Sequence, residues 1–385
     1  MTQTRRIKAA FYRGGTSKAV VFNGADLPKE RAVRDRIFLH VLGSPDGYGR
    51  QLDGMGGGLS SLSKVVIVEP STHTDADVDY TFVQIAVDAP VADYGSACGN
   101  MSSAVGPFAV TEGLVQPQDG QQRVRIHNTN TGQIYWSEFA VQNGEPVEQG
   151  DFEIPGVTQT GAQIKLDFLD PGGSRTRALL PTGSAVDRLN IPDIGAIDAS
   201  MVDAANPIAF VRAKDFGIAG NEAPTALDAD TALMAKLETV RCHAGVAMGM
   251  AETPDQIPRS NPKIALVAAP TAFTALDGRA YDATTHDVSV RLISMNNFHR
   301  AITLTGAMCV AVAAKIDGTL VADLIQTDTG LRIGNPSGNL PVDANVDKTS
   351  AGFKARSATT FRTQRRIMEG HVLCPAHLFT TGPST

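Results

Sequence analysis

One unit of sequence occurs twice in this chain, and that repeat limits its possible folds more than any other feature. Ser63-Lys64-Val-Val-Ile-Val-Glu-Pro-Ser-Thr72 returns as Pro262-Lys263-Ile-Ala-Leu-Val-Ala-Ala-Pro-Thr271. Each copy is an apolar, β-branched run closed by proline, which reads as a buried strand. Asp77-Val-Asp-Tyr-Thr-Phe-Val-Gln-Ile-Ala-Val-Asp88 is echoed by Asp287-Val-Ser-Val-Arg-Leu-Ile-Ser-Met295, and both alternate with the period of a strand. A small-residue segment leading into a helix-like run follows each time, from Gly95 in the first half and from Thr303 in the second. The opening strands match loosely, Gly15–Gly24 with Asn206–Asp215. A separation this long excludes a solenoid. The expectation is two similar domains, 1–184 and 185–385, divided near Pro181-Thr-Gly-Ser184, with a ligand in the cleft between them. Helices are expected over 29–42, with Val33, Ile37, Phe38 and Val41 on one face, and over 230–241, capped by Asp230. The fold class is α+β, with a mixed sheet wrapped around a central helix in each half.

Composition narrows the function classes. The chain has 385 residues, 42% hydrophobic and 19% charged, with a net charge of −6. It can bury a large core. No block of like charge is long enough to track nucleic acid. No apolar stretch is long enough to span a bilayer, and MTQTRRIKAAFYRGG lacks the apolar core of a signal peptide. A cytoplasmic protein acting on a small molecule is expected, with no nucleic-acid or membrane partner. The four cysteines, Cys98, Cys242, Cys309 and Cys374, are widely spread and suggest neither disulfides nor zinc. The eight histidines are scattered, so no metal site is expected.

Cys98 is the first candidate for chemistry. It lies in Ala97-Cys-Gly-Asn-Met-Ser-Ser103, just ahead of a helix-like run. A thiol there meets unpaired N–H groups and the positive end of a helix dipole, which favour thiolate. The same N–H groups suit a carboxylate. The second half has Thr303 near the matching position, so the site should be one-sided; Cys309 reads as core. Lys64 is the second candidate. It follows the glycine-rich Asp53–Ser63 loop and opens a buried strand, where desolvation would favour a free amine able to act as a base. Lys263 at the matching place allows an equally structural reading. Arg13-Gly-Gly-Thr-Ser-Lys18 lacks Walker A spacing, and Gly54–Gly58 lacks a dinucleotide fingerprint. Several such turns in one chain suggest an anion-binding cleft. No GxSxG elbow supports a serine hydrolase. His299 stands just before the second small-residue segment and could face the cleft.

Taken in order, Arg13-Gly-Gly-Thr-Ser-Lys18, Gly43-Ser-Pro-Asp46, Asp53-Gly-Met-Gly-Gly57, Ser63-Lys64, Asp75-Ala-Asp-Val-Asp-Tyr80, Cys98-Gly-Asn100, Val105-Gly-Pro-Phe-Ala109, His127-Asn-Thr-Asn-Thr-Gly132, Pro181-Thr-Gly183 and Pro336-Ser-Gly338 resemble the PrpF family over nearly the whole chain. That family includes 2-methylaconitate cis-trans isomerase, 3-methylitaconate isomerase and 4-oxalomesaconate tautomerase. The resemblance implies a diaminopimelate epimerase-like fold of two pseudo-symmetric domains. It implies an isomerase that moves a C=C bond in an unsaturated di- or tricarboxylate, with acid/base roles for Lys64 and Cys98 and no metal or organic cofactor. Arg13, Thr16, Ser17, Ser60 and His299 are then the expected substrate-binding side chains. The backbone of Gly99, Asn100 and Met101, and of Gly306 and Ala307, would meet developing negative charge. The shift is a 1,3-allylic proton transfer or a cis-trans isomerisation; a 4-oxalomesaconate tautomerase is the alternative, and after it a racemase or epimerase of an amino or hydroxy acid, disfavoured by Thr303. A homodimer is left open. Asn335 stands where many relatives have histidine, and Met101-Ser-Ser departs from the commoner sequence after Cys-Gly-Asn; both bear on the substrate pocket.

Overall fold

The computed structural model describes residues 4–95, 97–294, 296–327, 330–350 and 352–380. Ser96 and Met295, which belong to the repeated segments, lie outside them. The chain divides into two compact units. The first comprises the residues up to Asp167 together with those from Phe361 onward, and the second is Phe168–Thr360. The sequence expectation placed a single division after Ser184. The contact division differs because the last strand, Gln364–Pro375, runs antiparallel to the first, Thr4–Gly14, along its whole length. A chain that closes its sheet with its own C-terminus cannot be split by one cut.

The repeat becomes one strand order used twice. In the first unit β1 (Thr4–Gly14) and β2 (Ser17–Asn23) form an antiparallel hairpin. β2 lies parallel to β3 (Lys64–Pro70), which pairs antiparallel with β4 (Val78–Ile85). β4 lies parallel to Gly120–Asn128, which turns back into Gln133–Gln142. In the second unit Gly195–Ala204 and Asn206–Arg212 form the opening hairpin. Asn206–Arg212 runs parallel to Lys263–Ala268, which pairs antiparallel with Val288–Ser294. That strand lies parallel to Leu331–Asn335, which turns back into Gly338–Thr349.

Each unit carries one helix almost wholly buried and one amphipathic helix. In the first, α1 (Arg31–Leu42) buries Val33, Ile37, Phe38 and Val41 against Val20, Phe22, Val65, Ile67 and Val83. It stops at Gly43, whose φ of 73° is a left-handed cap that other residues adopt at a cost. The buried helix is α2 (Ser102–Thr111), in which every residue from Ser102 to Val110 is inaccessible. Small residues make this possible: a Cβ on Gly106 would lie 2.7 Å from the Phe139 ring and 2.8 Å from Ser137 Oγ. In the second unit Leu304–Ala313 is the buried helix. Thr231–Ala247 is the amphipathic one, and Leu233, Leu237 and Val240 join its core cluster. Asp230 caps it as expected, accepting from the Leu233 N–H at 2.9 Å. The sequence placed the end of this helix at 241; it runs to Ala247, since nothing from Cys242 to Ala247 breaks a helix except the tolerated Gly245. No described helix is long and apolar enough to cross a membrane.

Candidate active site

The first unit brings together Thr16, Ser17, Ser60, Lys64, Cys98, Gly99 and Asn100. Lys64 is the first residue of β3, directly across the ladder from Gln84 of β4. Only 7% of it is exposed. Its Nζ donates to Gln84 Oε1 at 2.6 Å and stands 5.1 Å over the Phe82 ring. The orientation of the Gln84 amide is dictated by its surroundings. Its Nε2 faces three carbonyls, those of Ser60 at 3.1 Å, Ser63 at 2.9 Å and Ile85 at 3.3 Å, so its oxygen must face the lysine. Burial lowers the Lys64 pKa below the ordinary 10.5, and the nearby Cys98 sulfur opposes that shift. The amine is held by a neutral acceptor and a ring face, both of which favour the ammonium, while its burial works the other way and brings the uncharged form closer.

Cys98 stands one turn ahead of α2. Its carbonyl accepts from the Ser102 N–H at 3.1 Å and from the Tyr80 hydroxyl at 3.1 Å, which anchors the residue to the helix start and to β4. The sulfur lies 4.0 Å from Ser17 Oγ. Between Cys98 and α2 the backbone turns through Gly99, Asn100 and Met101. Among the described residues, no acceptor is recorded for these three N–H groups. The turn fits against the β1–β2 hairpin because that hairpin is Gly14-Gly15. A Cβ on Gly14 would lie 2.8 Å from the Asn100 carbonyl, and one on Gly15, at a φ of 52°, would overlap the Asn100 carboxamide oxygen. Asn100 Nδ2 donates to Thr16 Oγ1 at 3.0 Å, and its Oδ1 accepts from Arg362 Nε at 3.3 Å.

Other expected residues are placed differently. Arg13 Nη1 donates to the Gly15 and Thr363 carbonyls at 2.9 and 3.1 Å, so part of its fork secures the hairpin. Gly306, Ala307 and His299 belong to the second unit. The Gly306 N–H is given to Thr303 Oγ1 at 3.0 Å and the Ala307 N–H to the Thr303 carbonyl at 2.8 Å. Thr303 is thus the helix cap, and both expected donors are taken. His299 is partly buried, and burial together with nearby Lys263 lowers its pKa. The Gly54–Gly58 segment, read as part of an anion cradle, is instead packed on itself and on the end of α1. Met55 and Gly56 donate to the Val41 and Leu42 carbonyls, and Gly58 donates to Gln51 Oε1. A Cβ on Gly57 would lie 2.8 Å from the Leu62 side chain. The His127–Gly132 motif is also architectural: Asn130 bonds both backbone groups of Phe82 and the Tyr94 carbonyl, tying the loop before Cys98 to β4. No group of three or more His, Cys, Asp or Glu able to hold a metal occurs among the described residues.

Two residues of the site were not singled out in the sequence. Gln84 was visible only as one polar position in an alternating strand. Its importance comes from the register that sets it against Lys64. Arg362 is more than 250 residues away in sequence from the Asn100 it touches.

Comparison with known proteins places the chain and its fold. A 2-methyl-aconitate isomerase from Cupriavidus necator is 39% identical, over 98% of this chain and 100% of its own. The crystal structure of a methylitaconate-delta-isomerase superposes with a TM-score of 0.91 at 38% identity, covering 99% of each chain. A hydroxyproline epimerase from Agrobacterium vitis, 12% identical with a TM-score of 0.50 over 98% of this chain and 95% of its own, shares the fold alone. The α+β fold is thus the diaminopimelate epimerase-like one that the repeat and the motifs implied. The family model described as PrpF protein matches residues 4–375, and the chain belongs to the PrpF family.

Proposed function

We propose that this protein is an isomerase that moves a C=C bond in an unsaturated di- or tricarboxylate by a 1,3-allylic proton shift. Lys64 as free amine takes a proton from the sp³ carbon beside the double bond. The electron pair of that C–H bond becomes the new C=C, and the old π pair moves toward the far allylic carbon. Cys98 delivers its thiol proton there. The site then holds an ammonium and a thiolate in place of an amine and a thiol. A return proton transfer between them, or turnover in the reverse direction, restores it. The intermediate charge spreads into a conjugated carboxylate or keto group of the substrate. The N–H groups of Gly99, Asn100 and Met101, without a recorded acceptor among the described residues, supply hydrogen bonds to it. Thr16, Ser17 and Ser60 line the approach. The donors expected from Gly306 and Ala307 are not used in this scheme, because Thr303 takes both.

The observation that carries this reading is a buried lysine held on a neutral amide at the head of a strand, in the same unit as a cysteine one turn ahead of the buried helix. The names of its relatives support the substrate class, methylaconitate and methylitaconate being unsaturated polycarboxylates. The test is proton NMR in D₂O with 2-methylaconitate, 3-methylitaconate, 4-oxalomesaconate and the two aconitates, using Cys98→Ser as control. The expected result is deuterium at an allylic carbon with a displaced double bond. Exchange at one stereocentre with no alkene shift would identify an epimerase. No exchange with any of them by folded protein would remove the proposal.

A further inference from the structure

Arg362 ends the strand Gly352–Arg362, and only 7% of it is exposed. Buried arginines are normally neutralised; the buried Arg241 and the half-buried Arg366 are, whereas Arg291, 1% exposed, donates to the Glu222 and Val290 carbonyls and stands over the Phe273 ring. Arg241 makes a two-pronged pair with Glu238, at 2.7 Å from both Nε and Nη2. Arg366 pairs with Glu112 at 3.4 Å and with Glu369. Arg362 has neither kind of partner. Its Nε donates to the Asn100 amide oxygen at 3.3 Å and its Nη1 to the Phe361 carbonyl at 2.8 Å, and both acceptors are neutral. Among the described residues, no acceptor is recorded for Nη2. Burial lowers the guanidinium to about 10, so it stays charged at neutral pH, and the Cys98 sulfur favours that state.

The Asn100 amide holds this cation in one place. Thr16 Oγ1 accepts from Nδ2 at 3.0 Å, which leaves Oδ1 to receive Arg362. The N–H groups of Gly99, Asn100 and Met101, on the same turn, are without recorded acceptors among the described residues. A guanidinium with Nη2 uncommitted among the described residues, set beside backbone donors, offers a carboxylate a charge-assisted hydrogen bond and neutral ones next to it.

We infer that Arg362 anchors one carboxylate of the substrate beside Cys98, an assignment that rests on the isomerase reading for its substrate class. It is a positioning residue: it fixes which end of the allyl system faces the thiol.

The test compares wild type, Arg362→Met and Arg362→Lys by calorimetric titration with itaconate, by thermal melting without ligand, and by steady-state kinetics. Losing a charged hydrogen bond should weaken itaconate about 10–100-fold in the Met protein, with partial recovery in the Lys protein, which keeps the charge but not the planar group held on Asn100. KM should rise by a similar factor and kcat should fall less. The unliganded Met protein should melt no lower than wild type, because an uncompensated buried charge has been removed. A Met protein that binds itaconate within threefold of wild type would overturn the assignment. So would one that melts much lower or does not fold, which would mark Arg362 as structural. Itaconate that does not bind wild type would also overturn it. If Arg362-dependent binding persists while the NMR panel shows no exchange, the anchor stands and the isomerase reading falls.

Discussion

Replacing Gln84 by methionine tests the account of Lys64 directly. Methionine keeps the length of the side chain and removes the amide. The Lys64 ammonium then loses the acceptor at 2.6 Å that favours its charged form. A hydrogen bond to a charged group contributes about 1.5–3 kcal/mol. At about 1.4 kcal/mol per pH unit, that corresponds to a further fall of roughly 1–2 units in the Lys64 pKa. If the free amine is the base, kcat/KM rises with pH through this value. The rising limb in Gln84→Met should therefore sit about 1–2 units below that of wild type. Its plateau should be lower, because the amine is no longer aimed. The assay is the rate of deuterium entry at the allylic carbon, followed by NMR across a pD series. Gln84→Glu supplies the opposite perturbation, since an anion beside the ammonium should raise the limb by about 1–3 units. A limb that stays put in both variants, or moves up in Gln84→Met, would mean that Lys64 is not the base.

Further outcomes are expected. Cys98→Ser should keep the melting profile of wild type and lose about 10²–10⁴-fold in kcat, the usual contribution of a positioned proton donor; a loss under fivefold would take Cys98 out of the chemistry. Gly15→Ala forces a Cβ into the Asn100 carboxamide at a φ of 52°. It should reduce kcat/KM more than tenfold in a protein that still folds, at a stability cost of about 1–3 kcal/mol read from denaturant midpoints. Asp230→Ala removes the helix cap in the second unit and should lower stability by about 1 kcal/mol while leaving turnover unchanged. Burial also links Lys64 to folding. Because its pKa lies below 10.5 in the folded chain, the unfolded chain binds more protons between the lowered value and 10.5. Stability therefore gains from Lys64 as pH rises through that window, and Lys64→Met should flatten that part of a stability-versus-pH curve.

Much of the site was legible because its chemistry is local. Lys64 opens a strand recognisable from four β-branched residues, and Cys98 precedes a helix marked by small residues. Both features are written within a dozen positions. Chain order also carries topology. A strand order used twice leaves two copies of one hydrophobic pattern, so the paired architecture and the amphipathic helices with Val33, Ile37 and Phe38, or Leu233 and Leu237, followed from periodicity.

What tertiary structure alone decided are the partners that meet across long chain separations. Gln84 and Arg362 are unremarkable in sequence. Within Phe361-Arg-Thr-Gln-Arg-Arg366 nothing distinguishes a cation held on Asn100 from Arg365 on Gln159 or Arg366 on Glu112. Backbone donors behave the same way. The glycines of 54–58 and of 306 looked as available as Gly99, yet Gly54 and Gly58 donate within their own loop, Gly56 donates to the end of α1 and Gly306 to Thr303. Whether a donor is free depends on what packs against it, and that is a property of register and closure. The return of Gln364–Pro375 onto the first strand belongs here too. Local pattern determined which residues could do acid/base chemistry; packing determined which charge is left uncompensated and which hydrogen bonds remain for a ligand.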